Sequence, residues 1–485
     1  MYANAPEPAD WHTAEPDGSA VFVDAAPPAG EEWSDGSLTG DRGWRPSGFI
    51  EWFAIGQTLL PALLFLPQSQ PYRLPIRTGA YAMSLAAFAL WWFHRGGRSR
   101  GSHPAGRWLI LILLWLGFML VHPDTPSLLL GIAQVSLYFA IFSPVFWAPA
   151  YVASRQKLMR ILVILLLCNG LNSFVGVLQV YDPDRFMPRQ LSALFTDEGG
   201  VSLGVSTYVG PNGRRIIRPP GLFDTPGAVC GAGTLAAILG LALCLERLAW
   251  WKRAAAFGLA LAGISAIYLS HVRSSFVVAV GMIVAYIVML QLQRERKRAI
   301  GVAGLAAAVI AIGLSGATML GGESIQERFS TLLEGDPREL YYQSRGVQVQ
   351  YALTDLVRDY PAGAGLGRWG MMSYYFGDRS GSRSRALFAE VQPNAWILDG
   401  GLPLLMLYSI ALIVTFIGDL FLIRSLADST DRLTATVVVA ANAGTLALVL
   451  TFVPFGTAVG MQYWFLEGLL RGAMADRPRV VRWRG

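Results

Sequence analysis

Ser275 to Leu292 reads SFVVAVGMIVAYIVMLQL, a run of 18 residues without a single charge. A helix rises about 1.5 Å per residue and the hydrocarbon core of a bilayer is about 30 Å thick, so a run of this length is a candidate membrane span. Similar runs, such as Trp108 to Leu120, recur along nearly the whole chain. Of 485 residues, 53% are hydrophobic and 15% charged, whereas soluble proteins carry about 25% charged residues. These numbers exclude an ordinary cytosolic enzyme and indicate an all-α polytopic membrane protein.

Applying the rough 20-residue requirement on both sides of that run, with Pro, Gly and charge clusters as breaks, gives about twelve spans. They are Ser47 to Leu66, Thr78 to Phe93, Arg107 to Val121, Leu128 to Trp147, Leu158 to Tyr181, Val229 to Leu248, Ala254 to His271, Ser275 to Leu292, Ala299 to Leu320, Asn394 to Ile423, Leu433 to Val453 and Met461 to Met474. The formal net charge is +6. The basic residues cluster in alternate linkers, at Arg95/Arg98/Arg100, Arg155/Lys157/Arg160, Arg247/Lys252/Arg253 and Arg294/Arg296/Lys297/Arg298. The positive-inside rule accounts for that pattern, so no nucleic-acid partner is needed and membrane lipid is the expected surrounding. It also predicts both termini in the cytoplasm.

Residues 1–46 carry nine acidic side chains and no apolar period, and are expected to form a disordered cytoplasmic tail. The expected order is then spans 1–5 over residues 47–181, a periplasmic loop over 182–228, spans 6–9 over 229–320, a large periplasmic loop over 321–393, spans 10–12 over 394–476, and a basic cytoplasmic tail over 477–485. In the second loop, Tyr342 to Tyr360 (YQSRGVQVQYALTDLVRDY) has apolar residues near helical spacing and ends at Pro361, so a helix is expected there.

The three cysteines, Cys168, Cys230 and Cys244, lie in or beside apolar segments and offer no disulfide framework. The histidines are scattered, no metal set is legible, and no Walker loop, HExxH or GxSxG motif is present. No cofactor is expected. Of the 39 basic residues 36 are arginine, and several fall in the two outer loops, including Arg215, Arg218, Arg328, Arg338 and Arg345. A guanidinium fork binds phosphate in bidentate fashion and keeps its charge when partly desolvated. Arg273, at the outer end of a span, is either such a group or a side chain reaching for lipid headgroups. Arg218-Pro-Pro-Gly-Leu-Phe-Asp-Thr-Pro-Gly227 is either a rigid platform holding Arg218 and Asp224 over a cavity or a plain connection into the next helix. Asp399, with Asn394 in the same apolar run, is either an active-site group or a helix-packing anchor.

Taken in order, RPPGLFDTPG (Arg218 to Gly227), SHVRSSF (Ser270 to Phe276), ERFSTLL (from Glu327), SRGVQVQYAL (from Ser344), YPAGAGLGRWG (from Tyr360) and PNAWILDGGLPLL (from Pro393) make the chain similar to the O-antigen ligase and O-antigen polymerase superfamily. The resemblance implies a GT-C-like membrane glycosyltransferase of the bacterial inner membrane that works at the periplasmic face. The donor would be an undecaprenyl-diphosphate-linked glycan and the acceptor a glycan hydroxyl, with other polysaccharide-assembly proteins as further partners. The family's arginines would fall on Arg218, Arg273 and Arg345. Ligases in this superfamily resemble one another in a His-Asn pair before the late span, whereas this chain reads Gln392-Pro393-Asn394. The resemblance therefore favours a polymerase of O-antigen, capsule or exopolysaccharide, acting without metal and with inversion. Glu390 ranks first as general base; Arg215, Asp224, Asn394 and Asp399 are candidate substrate-binding residues.

Overall fold

The structure, a computed structural model, describes residues 48–478 except 67, 96–102, 189–190, 192–206, 210–212, 214, 335 and 378–386. The expected acidic tail, most of the basic tail, and Arg98, Arg100, Arg189, Arg214, Arg379, Arg383 and Arg385 lie outside the described residues. The described residues are 79% helical with almost no sheet, in keeping with the all-α class. A helix occupies each of the twelve expected segments: α1 (Phe49–Leu59), α2 (Arg73–Arg95), α3 (Gly106–Phe118), α4 (Leu128–Phe142), α5 (Arg155–Tyr181), α6 (Val229–Cys244), α7 (Trp250–Leu269), α8 (Arg273–Leu292), α9 (Arg296–Gly321), and, after the second loop, Gln392–Ser425, Ser429–Leu448 and Ala458–Met474. Among the described residues six helical segments are long and apolar enough to cross a membrane: Leu128–Ala150, Arg155–Tyr181, Trp250–Leu269, Arg273–Leu292, Arg296–Gly321 and Gln392–Ser425.

Local chemistry sets the helix starts. Ser127 and Ser154 accept hydrogen bonds from Leu130 N–H (3.2 Å) and Lys157 N–H (3.3 Å), which caps α4 and α5. The helices pack closely where small residues meet. A Cβ on Gly233 of α6 would sit 2.6 Å from the Gly263 carbonyl of α7, so only glycine lets these backbones touch.

Both loops contain more regular structure than the sequence predicts. The first loop contains a two-stranded antiparallel ribbon, β1 (Thr207–Val209) with β2 (Arg215–Ile217), in the register Thr207 to Ile217. The second carries α10 (Glu323–Glu334), a helical stretch α11 over 337–359 and the short α12 (Gly370–Phe376). The expected helix at 342–360 is therefore present but begins earlier, at Pro337, and contains π turns at Tyr342–Gly346 and Ala352–Leu356. Its end before Pro361 matches the stop signal.

The helix Gln392–Ser425, α13, is interrupted at Gly400 and at Gly401, whose φ of 65° and ψ of −159° no β-branched residue would tolerate. The groups freed by the break are met from elsewhere. Trp115 Nε1 donates to Gly400 O (2.8 Å), Leu402 N–H to Pro361 O (2.9 Å) and Ala364 N–H to Leu398 O (2.8 Å). α14 (Ser429–Leu448) and α15 (Ala458–Met474) complete the bundle. Gln293, just past α8, donates to Thr436 Oγ1 at 2.7 Å. That bond puts the start of α14 at the opposite end of α8 from Arg273.

Candidate functional site

The RPPGLFDTPG segment is held from below by α5. Gln179 Oε1 accepts the Gly221 N–H (2.8 Å), its Nε2 donates to Gly221 O (2.7 Å), and Asn172 Oδ1 accepts the Leu222 N–H (2.8 Å). Gly221 has φ +67°, and a Cβ there would lie 2.1 Å from Asn172 Oδ1. The Gly227 N–H donates back to Arg218 O at 3.2 Å, closing the segment on itself. Two prolines and these bonds make a stiff platform, but its Asp224 is engaged in ion pairs and is not held over a cavity.

Arg218 projects from this platform toward the turn between α7 and α8. Arg328, in the middle of α10, lies close enough to Arg218 and to Arg273, at the start of α8, for both charges to act on it, and Arg218 and Arg328 both act on His271. Burial, and then the neighbouring Arg273 and Arg218, pull the Arg328 pKa down; burial also lowers that of Arg218. Burial, and then Arg218 and Arg328, push the His271 imidazole down to about 4. The ring is therefore neutral at physiological pH. Tyr208 of β1 lies over it with ring centroids 3.8 Å apart. The Arg218 Nε is buried without a hydrogen-bond partner, and among the described residues no carboxylate faces this side chain. Cations gathered at one place with a donor left over form an anion site, and guanidiniums fit phosphate oxygens best.

Cys230, on which the Arg218 charge acts, has its Sγ 2.9 Å from Ser270 Oγ. From the next residue, Gly231, a mainly apolar cleft runs between α6, α8, α14 and α15, past Thr234, Val278, Met282 and Val459.

The other expected residues are distributed differently. Asp224 is buried and already engaged: Arg73 donates from Nε (2.9 Å) and NH2 (2.7 Å), and Arg77 binds the second oxygen while reaching Tyr375 OH at 3.2 Å. The arrangement ties α2 and α12 to the platform, a positioning role. Arg345 pairs with Glu390, both about one-third exposed (35% and 29%), so each remains accessible. Arg345 sits in the first π turn of α11, and such turns recur at functional sites. Asn394, buried one turn into α13, leaves its Oδ1 unpaired and donates weakly to Gln348 (3.5 Å). Arg215 points outward from β2. Asp399 is fully buried and accepts from Gln134 Nε2 (2.9 Å) and Tyr138 OH (2.8 Å) of α4, the geometry of a helix-packing anchor.

Arg218 and Arg273 thus both act on Arg328, while Arg345 forms a second polar group with Glu390. The sequence gives Arg328 no special weight and places His271 near the outer face without assigning it a role. No periodic signal joins Arg328 to Arg218 across that separation, whereas the SHVRSSF motif did contain His271. No family model matches the chain, and no curated protein is significantly similar to it.

Proposed function

We propose that the protein is a membrane glycosyltransferase that extends or transfers glycans carried on undecaprenyl diphosphate, in the manner of an O-antigen, capsule or exopolysaccharide polymerase. The observation that carries this reading is the proximity of Arg328 to both Arg218 and Arg273, with the Arg218 Nε buried and unpartnered, in a chain whose helices are apolar enough to lie among lipid. A lipid-linked diphosphate has the matching pair of properties, an anionic head and a hydrocarbon tail. In this reading twelve helices cross the inner membrane, both termini are cytoplasmic, and the arginine cluster faces the periplasm.

An acceptor hydroxyl attacks the anomeric carbon of the donor sugar and the lipid diphosphate leaves. Negative charge then builds on the departing phosphate oxygens, where fixed guanidiniums stabilise the transition state most. Direct displacement inverts the anomeric centre. Glu390, held by Arg345 at the start of α13, is the group assigned to accept the hydroxyl proton. The acceptor is a second lipid-linked oligosaccharide in the polymerase reading and another glycan in a ligase.

Incubating the purified protein with a defined undecaprenyl diphosphate oligosaccharide tests the proposal. Chain extension with release of undecaprenyl diphosphate is expected; binding of the donor without any turnover would leave a carrier. One observation favours that second reading, the interruption of α13 at Gly400 and Gly401, since transporters use broken helices at their binding sites.

A further inference from the structure

A second group of ionisable side chains lies toward the other end of the bundle, where α13, α14, α15 and the turn before α3 meet. Asp419 of α13 and Glu467 of α15 are buried at 1% and 0% exposure. Arg471, one turn beyond Glu467, pairs with Asp419. Asn442 of α14 donates to Glu467 Oε1, and the His103 Nε2 lies 3.7 Å from Glu467 Oε2. Tyr463 is the remaining titratable neighbour facing both carboxyl groups, with Tyr408 behind it. Trp464 closes over His103, ring centroids 6.0 Å apart.

The charges here do not balance. His103 Nδ1 accepts the backbone N–H of Ala105 at 3.2 Å, so that nitrogen carries no proton and the ring is neutral. Burial, and then Arg471, push its pKa down to about 3, in agreement with that tautomer. Among the described residues, Arg471 is then the one cation facing the two carboxyl groups. An uncompensated charge in such a place is strongly destabilising. Moreover, Arg471, one turn beyond Glu467, holds Asp419 in the same buried region, where two ionised carboxylates would repel each other. The His103 Nε2 and Glu467 Oε2 are both buried without a hydrogen-bond partner, so the site keeps polar atoms aimed into it.

We propose that Asp419 and Glu467 form a buried carboxyl–carboxylate pair that binds one exchangeable proton at neutral pH, a proton site separate from the arginine cluster. The proton supplies the missing positive charge and the bond that joins α13 to α15. When it leaves, two negative charges face each other beside a single guanidinium, and the contact between the helices is driven open.

Infrared spectroscopy of the full-length protein in lipid nanodiscs tests this. At neutral pH the wild type should show the carbonyl stretch of a protonated carboxylic acid that disappears in Glu467→Gln and survives in Asp399→Asn. As pH is raised the wild type should lose that band and its unfolding temperature should fall. Glu467→Gln, whose amide imitates the protonated acid, should hold a level unfolding temperature over the same range. A neutral-pH spectrum with no band dependent on Glu467 overturns the proposal. So does a band present in choline buffer and abolished by sodium, which would make the site one for a metal ion. If Glu467→Gln does not fold, the wild type alone decides: an unfolding temperature that stays constant as the acid band titrates away overturns the proposal.

Discussion

Gln179 grips Gly221 at both of its backbone groups, accepting the N–H at 2.8 Å and donating to the carbonyl at 2.7 Å. The side chain therefore replaces the partner strand that this turn lacks. Gln179→Leu leaves two buried backbone groups unpaired, each costing about 1–3 kcal/mol. A lower unfolding temperature is expected, together with a loss of diphosphate binding greater than the loss of folded protein, because Arg218 hangs from the same turn. Thermal unfolding and binding of a diphosphate lipid, measured side by side, check this.

Asp224→Asn is expected to destabilise the protein by about 3–5 kcal/mol, the usual consequence of stripping the charged partner from a buried ion pair. Arg73 and Arg77 would both lose the Asp224 carboxylate. If Asp224 instead served as a base, Asp224→Asn would fold as well as wild type and lose turnover alone. Unfolding temperature and initial rate measured on one preparation separate the two outcomes.

Arg218→Lys and Arg345→Lys keep the charge and lose the planar fork. Losing a transition-state donor of this kind costs roughly 2.7–4 kcal/mol, about a hundredfold to a thousandfold in rate. In an enzyme, cells carrying either variant should accumulate unpolymerised repeat units already exposed on the periplasmic side. In a carrier those units stay on the cytoplasmic leaflet, and accessibility in intact spheroplasts reads the difference.

The helices were legible because length and hydropathy are local properties, and runs such as Ser275 to Leu292 need no tertiary information. The stiffness of the RPPGLFDTPG platform was legible for a similar reason, since Pro219, Pro220 and Gly221 restrict the backbone wherever they occur. The partners were not legible. That Asp224 meets Arg73, or that Arg328 joins Arg218, depends on which helix ends share one side of the bundle. Charge counting within loops cannot supply that. The β1–β2 ribbon was missed because strands of three residues leave too short a pattern. Asp419 and Glu467 did leave a signal, a carboxyl group inside an apolar run, which is reason enough to expect a buried partner.

The His271 imidazole predicts a pH dependence of definite sign. Its folded-state pKa of about 4 lies below the ordinary 6.5, so the unfolded chain takes up the proton first as pH falls. Stability contributed by the neutral ring is full above about pH 6.5 and is lost as pH drops toward 4, by up to about 3 kcal/mol. His271→Gln should flatten that part of the acid slope in thermal unfolding, leaving the part due to His103, whose proton affinity is depressed in the same direction. An unchanged slope would mean that His271 binds its proton as tightly in the folded protein as in the unfolded chain.

The break in α13 has a consequence for how the protein is made. A continuous helix satisfies its own backbone and enters the bilayer as an autonomous unit, whereas Leu398, Gly400 and Leu402 pair with Ala364, Trp115 and Pro361. In hydrocarbon those groups have no water to fall back on. The first turns of α13 therefore reach their final depth only after the 361–364 segment has docked and α3 is in place. Biogenesis of this part of the chain is a tertiary event in which a loop synthesised earlier waits for the helix that follows, and cotranslational insertion alone does not finish it.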